Sequence, residues 1–282
     1  MNRRTFLNLG LTAAGAVGLP AAPAGVEASD RIWLGPMKTP VTRLAVGTGT
    51  NGVGGSSNQT RKLGLGGLAD LLQAAWDQGV RFWDSADQYG THPHVRQALK
   101  RVPRDSVAVL SKTRASSEQE ACADLDRFRR ELGTDYIDIL LLHCMTEADW
   151  PERMKGVMAA IAEARERGIV RTHGVSCHSL EALEAAAAHP WAQVVLARIN
   201  PAGVAMDGPP QTVLPVLRRI KAAGKGVIGM KILGVGRLRS RVEECLRYAL
   251  SLDCVDCFTI GCESREELSD LAGRITRLGR GV

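Results

Sequence analysis

The stretch Leu132-Gly133-Thr134-Asp135-Tyr136-Ile137-Asp138-Ile139-Leu140-Leu141-Leu142-His143 decides how this chain is read. Gly133 stands where a helix hands over to a strand, the position at which a left-handed glycine ends a helix. An apolar run starts at Ile137 and closes on a polar residue, His143. The same unit recurs along the chain. Candidate strands are Leu44–Thr48, Val80–Asp84, Val107–Lys112, Ile137–His143, Thr172–Ser176, Val194–Ile199, Val227–Ile232 and Val255–Ile260. Between them lie amphipathic segments: Leu68, Leu71, Leu72 and Ala75 repeat on one helical face. Ser117 with Glu120 and Ser264 with Glu267 have the Ser-x-x-Glu spacing that satisfies exposed N–H groups at a helix start. Gly79, Gly168 and Gly226 sit, like Gly133, at expected helix-to-strand junctions. Strands alternating with helices imply a parallel sheet. Eight such units predict closure into an α/β (β/α)8 TIM barrel rather than a doubly wound open sheet.

The 282 residues are 45% apolar and 23% charged, with 30 Gly and 12 Pro, the proportions of a folded soluble protein. Aromatics make up only 4%, so Leu, Val, Ile and Ala must build the core. The net charge of +6 is a mild excess. No Lys/Arg tract is dense enough to argue for nucleic acid.

Residues 1–28 read as a leader. Arg3-Arg4-Thr5-Phe6-Leu7 precedes an apolar run from Leu9 to Leu19, then Ala22-Pro23-Ala24 and Val26-Glu27-Ala28. A basic start, a short apolar stretch and small residues one apart form a secretory signal. The run is far shorter than the ~20 residues that span a bilayer, so no stable span is expected after cleavage. The paired arginines resemble a bacterial twin-arginine signal, which predicts export of a folded protein to the periplasm. An ordinary secretory signal or an uncleaved anchor is the alternative. Residues 29–282 then form one domain, close to the ~250 residues of a single barrel.

Gly47-Thr48-Gly49-Thr50-Asn51-Gly52 matches GxGxxG in form only. A dinucleotide fingerprint needs its last glycine to open a helix and an acid about 20 residues later on the next strand. The chain instead continues Val-Gly-Gly-Ser-Ser-Asn, and Asp70 falls inside the next helix. These glycines are expected to let the backbone pass close to a ligand.

Barrel active sites lie at the carboxyl ends of the strands. Alternation puts Asp84 in phase with Phe82 and Val80, Lys112 with Leu110 and Ala108, and His143 with Leu141, Ile139 and Ile137. The three converge on the barrel mouth, and Tyr89 reaches it from the following loop. Separately, Asp84 with Lys112 reads as a structural ion pair and His143 as a core histidine. Together they suit carbonyl reduction. Lys112 would lower the pKa of the Tyr89 phenol into range for proton transfer. Asp84 would hold Lys112 charged, and His143 would orient a carbonyl oxygen.

With those residues in place, the chain resembles the aldo-keto reductase family. The resemblance rests on Gly79-Val80-Arg81-Phe82-Trp83-Asp84-Ser85-Ala86-Asp87-Gln88-Tyr89-Gly90, Ser111-Lys112 and the Leu132–His143 stretch. It continues through Gly168-Ile169-Val170-Arg171, Gly174-Val175-Ser176, Gly229-Met230-Lys231-Ile232-Leu233-Gly234 and Ile260-Gly261. It implies an oxidoreductase with a tetrad of Asp84, Tyr89, Lys112 and His143, a small carbonyl substrate and an NADP cofactor, NAD being possible. The implied cofactor residues are Gly47, Thr48, Ser176, Met230, Lys231, Leu233, Gly234, Gly261, Ser264 and Arg265. Departures cluster at that cofactor. Cys177 replaces a common Asn, Leu196 a Gln, and Met230 the aromatic that stacks on nicotinamide. Lys231 replaces a small polar residue near the pyrophosphate, and Glu263 stands where many relatives carry Arg near the adenosine phosphate.

Seven cysteines leave at least one unpaired. Cys254 and Cys257 have CxxC spacing but are expected to face opposite sides of a strand. Buried small hydrophobes are the expected role for most cysteines, and no metal is assigned. A site built from His143-Cys144 and Cys177-His178 is the metal-dependent alternative. His92 and His94 are expected in the loop and helix start after Tyr89. The competing function is a nucleotide-binding sensory or partner-binding barrel with little turnover.

Overall fold

The computed structural model describes residues 25–280. Eight parallel strands close into a barrel, as the alternation predicts. They are β3 (Leu44–Gly47), β4 (Phe82–Asp84), β5 (Ala108–Thr113), β6 (Ile137–Met145), β7 (Val170–Cys177), β8 (Val194–Arg198), β9 (Gly226–Met230) and β10 (Cys257–Gly261). Each strand pairs with its sequence neighbours, and β10 returns to β3. Helices α1 (Asn58–Asp77), α2 (His92–Leu99), α3 (Glu118–Leu132), α4 (Trp150–Arg153), α5 (Lys155–Glu166), α6 (Leu180–Ala188), α7 (Pro210–Ala222), α8 (Val242–Ser251) and α9 (Arg265–Gly279) run between and after them.

Two nested cores follow from strand alternation. Ala45, Phe82, Leu110, Ile139, Leu141, Leu196, Ile228, Met230 and Cys257 fill the barrel interior. The alternate positions, such as Val46, Trp83, Val109 and Leu140, join the helices in an outer shell. Cys257 opens β10 with its side chain in the interior, whereas Cys254 lies in the turn before the strand and packs in the shell, so the pair does not span β10 as expected. Ser117 and Ser264 cap their helices, each accepting from the N–H three residues on. Glu120 and Glu267 reach back one residue beyond the capping serine, to the N–H groups of Ser116 and Glu263.

Some boundaries differ from the sequence reading. β4 begins at Phe82, because the Val80 N–H still bonds to the Ala75 carbonyl and its side chain joins the shell. Gly226 opens β9 instead of ending a helix, and a β-carbon there would stand 2.7 Å from Leu34 Cδ1. Leu34 belongs to a hairpin that sequence reading missed, β1 (Arg31–Leu34) paired antiparallel with β2 (Thr39–Thr42). It closes the foot of the barrel, with Leu34 and Val41 in the interior cluster.

The leader's paired arginines and apolar run lie outside the described residues. Residues 25–28, grouped with that leader on sequence, pack on the barrel. The Gly25 N–H donates to the Gly279 carbonyl at 2.6 Å, and the Ala28 carbonyl accepts from Leu44 at 3.0 Å. Val26 and Ala28 are both buried. Among the described residues, no helix is long and apolar enough to cross a membrane.

Candidate active site

At the carboxyl end of the barrel, β4 delivers Asp84 and β5 delivers Lys112. Both are buried, and they form an ion pair. The Lys112 ammonium also donates to the Ser85 carbonyl at 2.8 Å. The second Asp84 oxygen accepts from Thr259 Oγ1 at 2.9 Å. Thr259, the third member of this network, was not singled out on sequence, and its place on β10 two residues before Gly261 is what brings it there. Burial alone would drive the Lys112 ammonium toward neutrality. The Asp84 carboxylate and the Tyr89 phenol facing it reverse that, holding the group above its ordinary value and charged.

Tyr89 ends a short helical turn, Asp87–Tyr89, that follows β4. The Lys112 ammonium lies 4.9 Å from its ring centroid. His143, near the end of β6, packs edge-on at 5.6 Å between centroids. The tetrad read from sequence is therefore one contiguous cluster. Its electrostatics differ from the expectation in one respect. Burial raises the Tyr89 phenol more than Lys112 lowers it, so the net shift is upward. The same burial, with Lys112 and His178 nearby, depresses His143 to about 2. Its imidazole is neutral at any physiological pH.

The glycines of the β3–α1 loop pass close to this tyrosine rather than to a ligand alone. A β-carbon on Gly49 would stand 2.2 Å from Tyr89 Cε2, and one on Gly52 2.3 Å from Tyr89 Cδ1. Gln59, fully buried, pins the loop by donating to Thr50 Oγ1 at 2.7 Å and the Cys262 carbonyl at 3.3 Å. Asn58 and Lys62 both engage Glu263.

A pocket opens beside the tetrad. Its walls include Asp84, Tyr89, Leu196, Met230, Lys231 and Gly261. Of the other residues assigned to a cofactor, Gly47 and Leu233 also line it, and Gly234 is buried between the lining residues Leu233 and Val235. Thr48 serves a different end: its hydroxyl donates to the Asp84 carbonyl at 2.9 Å and meets Thr91 at 2.9 Å. Ser264 is occupied as a helix cap and Arg265 is exposed. Ser176 is fully buried on β7, and its hydroxyl has no partner among the described residues. A nicotinamide carboxamide, which both donates and accepts, would satisfy it. Lys231 makes no ion pair among the described residues and, at a backbone φ of +58°, turns into the same pocket. These groups fit a dinucleotide.

The alternative metal pairs do not assemble. The Cys177 thiol turns to the shell and donates to the Ala182 carbonyl at 3.6 Å. Most of the seven cysteines are buried, and all are free thiols. His92 is fully buried away from the mouth, whereas His94 is half-buried.

The sequence model of the Aldo/keto reductase family matches residues 44–249. D-threo-aldose 1-dehydrogenase from a Pseudomonas species is 27% identical over 172 residues, 49% of this chain and 51% of that protein. Methylglyoxal reductase DkgB from Salmonella typhi is 28% identical over 121 residues, 42% of this chain and 45% of that one. The chain thus spans about half the length of these curated relatives. Among solved structures, the holo form of an aldo-keto reductase from Bacillus halodurans superposes with a TM-score of 0.70 at 17% identity, covering 87% of this chain and 90% of that one. The Bombyx mori aldo-keto reductase in complex with NADP superposes at 0.63 and 16%, covering 90% and 93%. At those identities the two structures speak for the fold.

Proposed function

This chain belongs to the aldo/keto reductase family, and from that premise we propose that it reduces a small aldehyde or ketone with a reduced nicotinamide dinucleotide, Tyr89 giving the proton. The observation that carries the reading is the buried Asp84–Lys112 pair set against Tyr89 and a neutral His143 at one barrel mouth.

When bound, the dinucleotide supplies the hydride to the carbonyl carbon. The chain does the rest. Tyr89, protonated at neutral pH, passes its phenol proton to the carbonyl oxygen as that oxygen gains negative charge. The Lys112 cation stabilises the phenolate left behind, and Asp84 keeps that cation charged and aimed. Neutral His143 donates a single hydrogen bond to the same oxygen and orients it. Its depressed pKa removes it as a competing acid. Ser176, Met230 and Lys231 would hold the nicotinamide half. NADP is the cofactor we assign, with NAD the alternative. Glu263, where relatives commonly carry Arg, disfavours a 2′-phosphate, while Lys62 on the same carboxylate offsets part of that charge.

The test is oxidation of NADPH and NADH by the purified protein over a panel of carbonyls. Tyr89→Phe should lower kcat about 10²–10⁴-fold. Nucleotide binding without Tyr89-dependent turnover would instead establish a binding barrel.

Export through the twin-arginine leader is part of the same proposal. The packing of Gly25 and Val26 against Gly279 supports cleavage after Ala24 in preference to Ala28. N-terminal sequencing of the secreted protein checks it.

A further inference from the structure

The cluster outside the pocket that the mechanism leaves unused is built on α3. Asp124, Arg127 and Glu131 lie three and seven residues apart on one face of that helix, so they act on the same neighbours. One set of contacts reaches the turn that carries Tyr89. Arg127 Nη1 donates to Asp87 Oδ1 at 2.6 Å, two residues before the tyrosine. His92, three residues after it, is bonded to Glu131 Oε2 through Nδ1 at 2.7 Å. The other set reaches β5 on both sides of Lys112. Asp124 Oδ2 accepts from Thr113 Oγ1 at 2.5 Å, and His92 Nε2 meets Ser111 Oγ at 2.7 Å. Arg127 binds the partners together through Asp124 Oδ1 at 2.6 Å and Glu131 Oε1 at 3.2 Å.

We propose that this face of α3, acting through His92, is a positioning clamp that sets the spacing between the Tyr89 phenol and the Lys112 ammonium.

His92 is the joint because one ring nitrogen meets Glu131 on α3 and the other meets Ser111 on β5. It is buried edge-on to Phe128 at 4.7 Å. A carboxylate only accepts, so Nδ1 carries the proton shared with Glu131. The Ser111 hydroxyl rotates to donate to a neutral imidazole or to accept from a charged one, so both contacts survive a change in His92 charge. Glu131–His92–Ser111 has the outline of a nucleophile relay, yet Ser111 is fully buried on the strand face opposite Lys112 and no substrate reaches it. Asp87, His92 and Glu131 also bring one ligand atom each within 4.8 Å of one another, but the Arg127 guanidinium already lies on both carboxylates. What remains is a mechanical role. Two acid–base groups on separate elements keep their distance only while the elements are tied, and about 1 Å of misplacement costs roughly 10²-fold in rate.

The proposal rests on the reading of Tyr89 as proton donor, and its test separates the two. Ser111→Ala, Glu131→Ala and Asp124→Ala each remove the acceptor or hydroxyl that makes one tie. Each folded variant should lose about ten-fold in kcat, with KM for carbonyl and dinucleotide held within about two-fold. The weaker Lys112 field should move the Tyr89 titration upward. That titration is read by tyrosinate absorbance after subtraction of the Tyr89→Phe spectrum, with only three tyrosines in the chain. Folded variants with unchanged kcat and unchanged Tyr89 titration would overturn the clamp. So would a loss of kcat with the titration unmoved, which marks a merely structural role. If Tyr89→Phe keeps its turnover, the proton-donor reading fails, while the absorbance measurement on Ser111→Ala still decides whether α3 sets the tyrosine's surroundings.

Discussion

Gly49 lies against the ring of Tyr89 so closely that any β-carbon there would stand 2.2 Å from Cε2. The loop and the ring are two halves of one contact, with Gly52 on Cδ1. Gly49→Ala must displace either the loop, pinned by Gln59, or the tyrosine. Overpacking of this kind costs about 1–3 kcal/mol in stability. We expect kcat to fall about 10²-fold, against a lowered urea midpoint measured on the same sample.

The Asp84–Lys112 pair separates stability from catalysis. Lys112→Met leaves the Asp84 carboxylate buried without its cation and should cost about 3–5 kcal/mol. Combining it with Asp84→Asn removes both charges, and denaturant unfolding should recover most of that loss. Turnover should stay abolished in the double variant, because no cation then faces Tyr89.

Buried histidines set the acid limit of the fold. His173, stacked on Trp191 at 4.4 Å, is depressed by burial to about 4, and His178 likewise to about 4. A group with a depressed folded pKa contributes its full stability above the ordinary value of 6.5 and loses it as pH falls through the folded value. Thermal unfolding temperature should therefore be flat above pH 6.5 and fall steadily toward pH 4. His173→Phe, which keeps the stack, should flatten part of that fall, worth at most about 3 kcal/mol.

Asp138 anchors the foot of the barrel. Its carboxylate accepts from Arg104 at 2.7 Å, Arg171 at 3.0 Å and the Val109 N–H at 2.9 Å, and the two guanidinium groups sandwich the Tyr136 ring. Asp138→Ala strands the buried Val109 N–H while both guanidinium groups keep access to water, and should cost about 1–3 kcal/mol in urea unfolding. KM and kcat of the folded fraction should be unchanged, since the site lies at the opposite end of the strands.

The eight-fold alternation, the polar residues near the carboxyl ends of β4, β5 and β6, and the helix caps at Ser117 and Ser264 were all legible in the chain, although β6 runs on past His143 to Met145. Each is a local periodicity or spacing, and local rules are written in consecutive residues. The foot hairpin is also a local feature, the short run Arg31-Ile32-Trp33-Leu34 closed by Gly35-Pro36, but its burial depends on the barrel that it caps. The contacts at a distance were not legible. Thr259 joins Asp84 across 175 positions of sequence, and α3 grips Asp87 and His92 from 40 and 39 residues away.

By itself the sequence determined the barrel, its family and which four side chains meet at the mouth, because strand phase and strand order follow from residue type and chain order. Only the tertiary structure decided how those four behave. The Tyr89 phenol rises rather than falls because burial outweighs the Lys112 charge. The glycines of the β3–α1 loop answer to a tyrosine ring, and Ser111 and His92 answer to a helix. Burial and distance are properties of the packed whole, and no spacing along the chain encodes them.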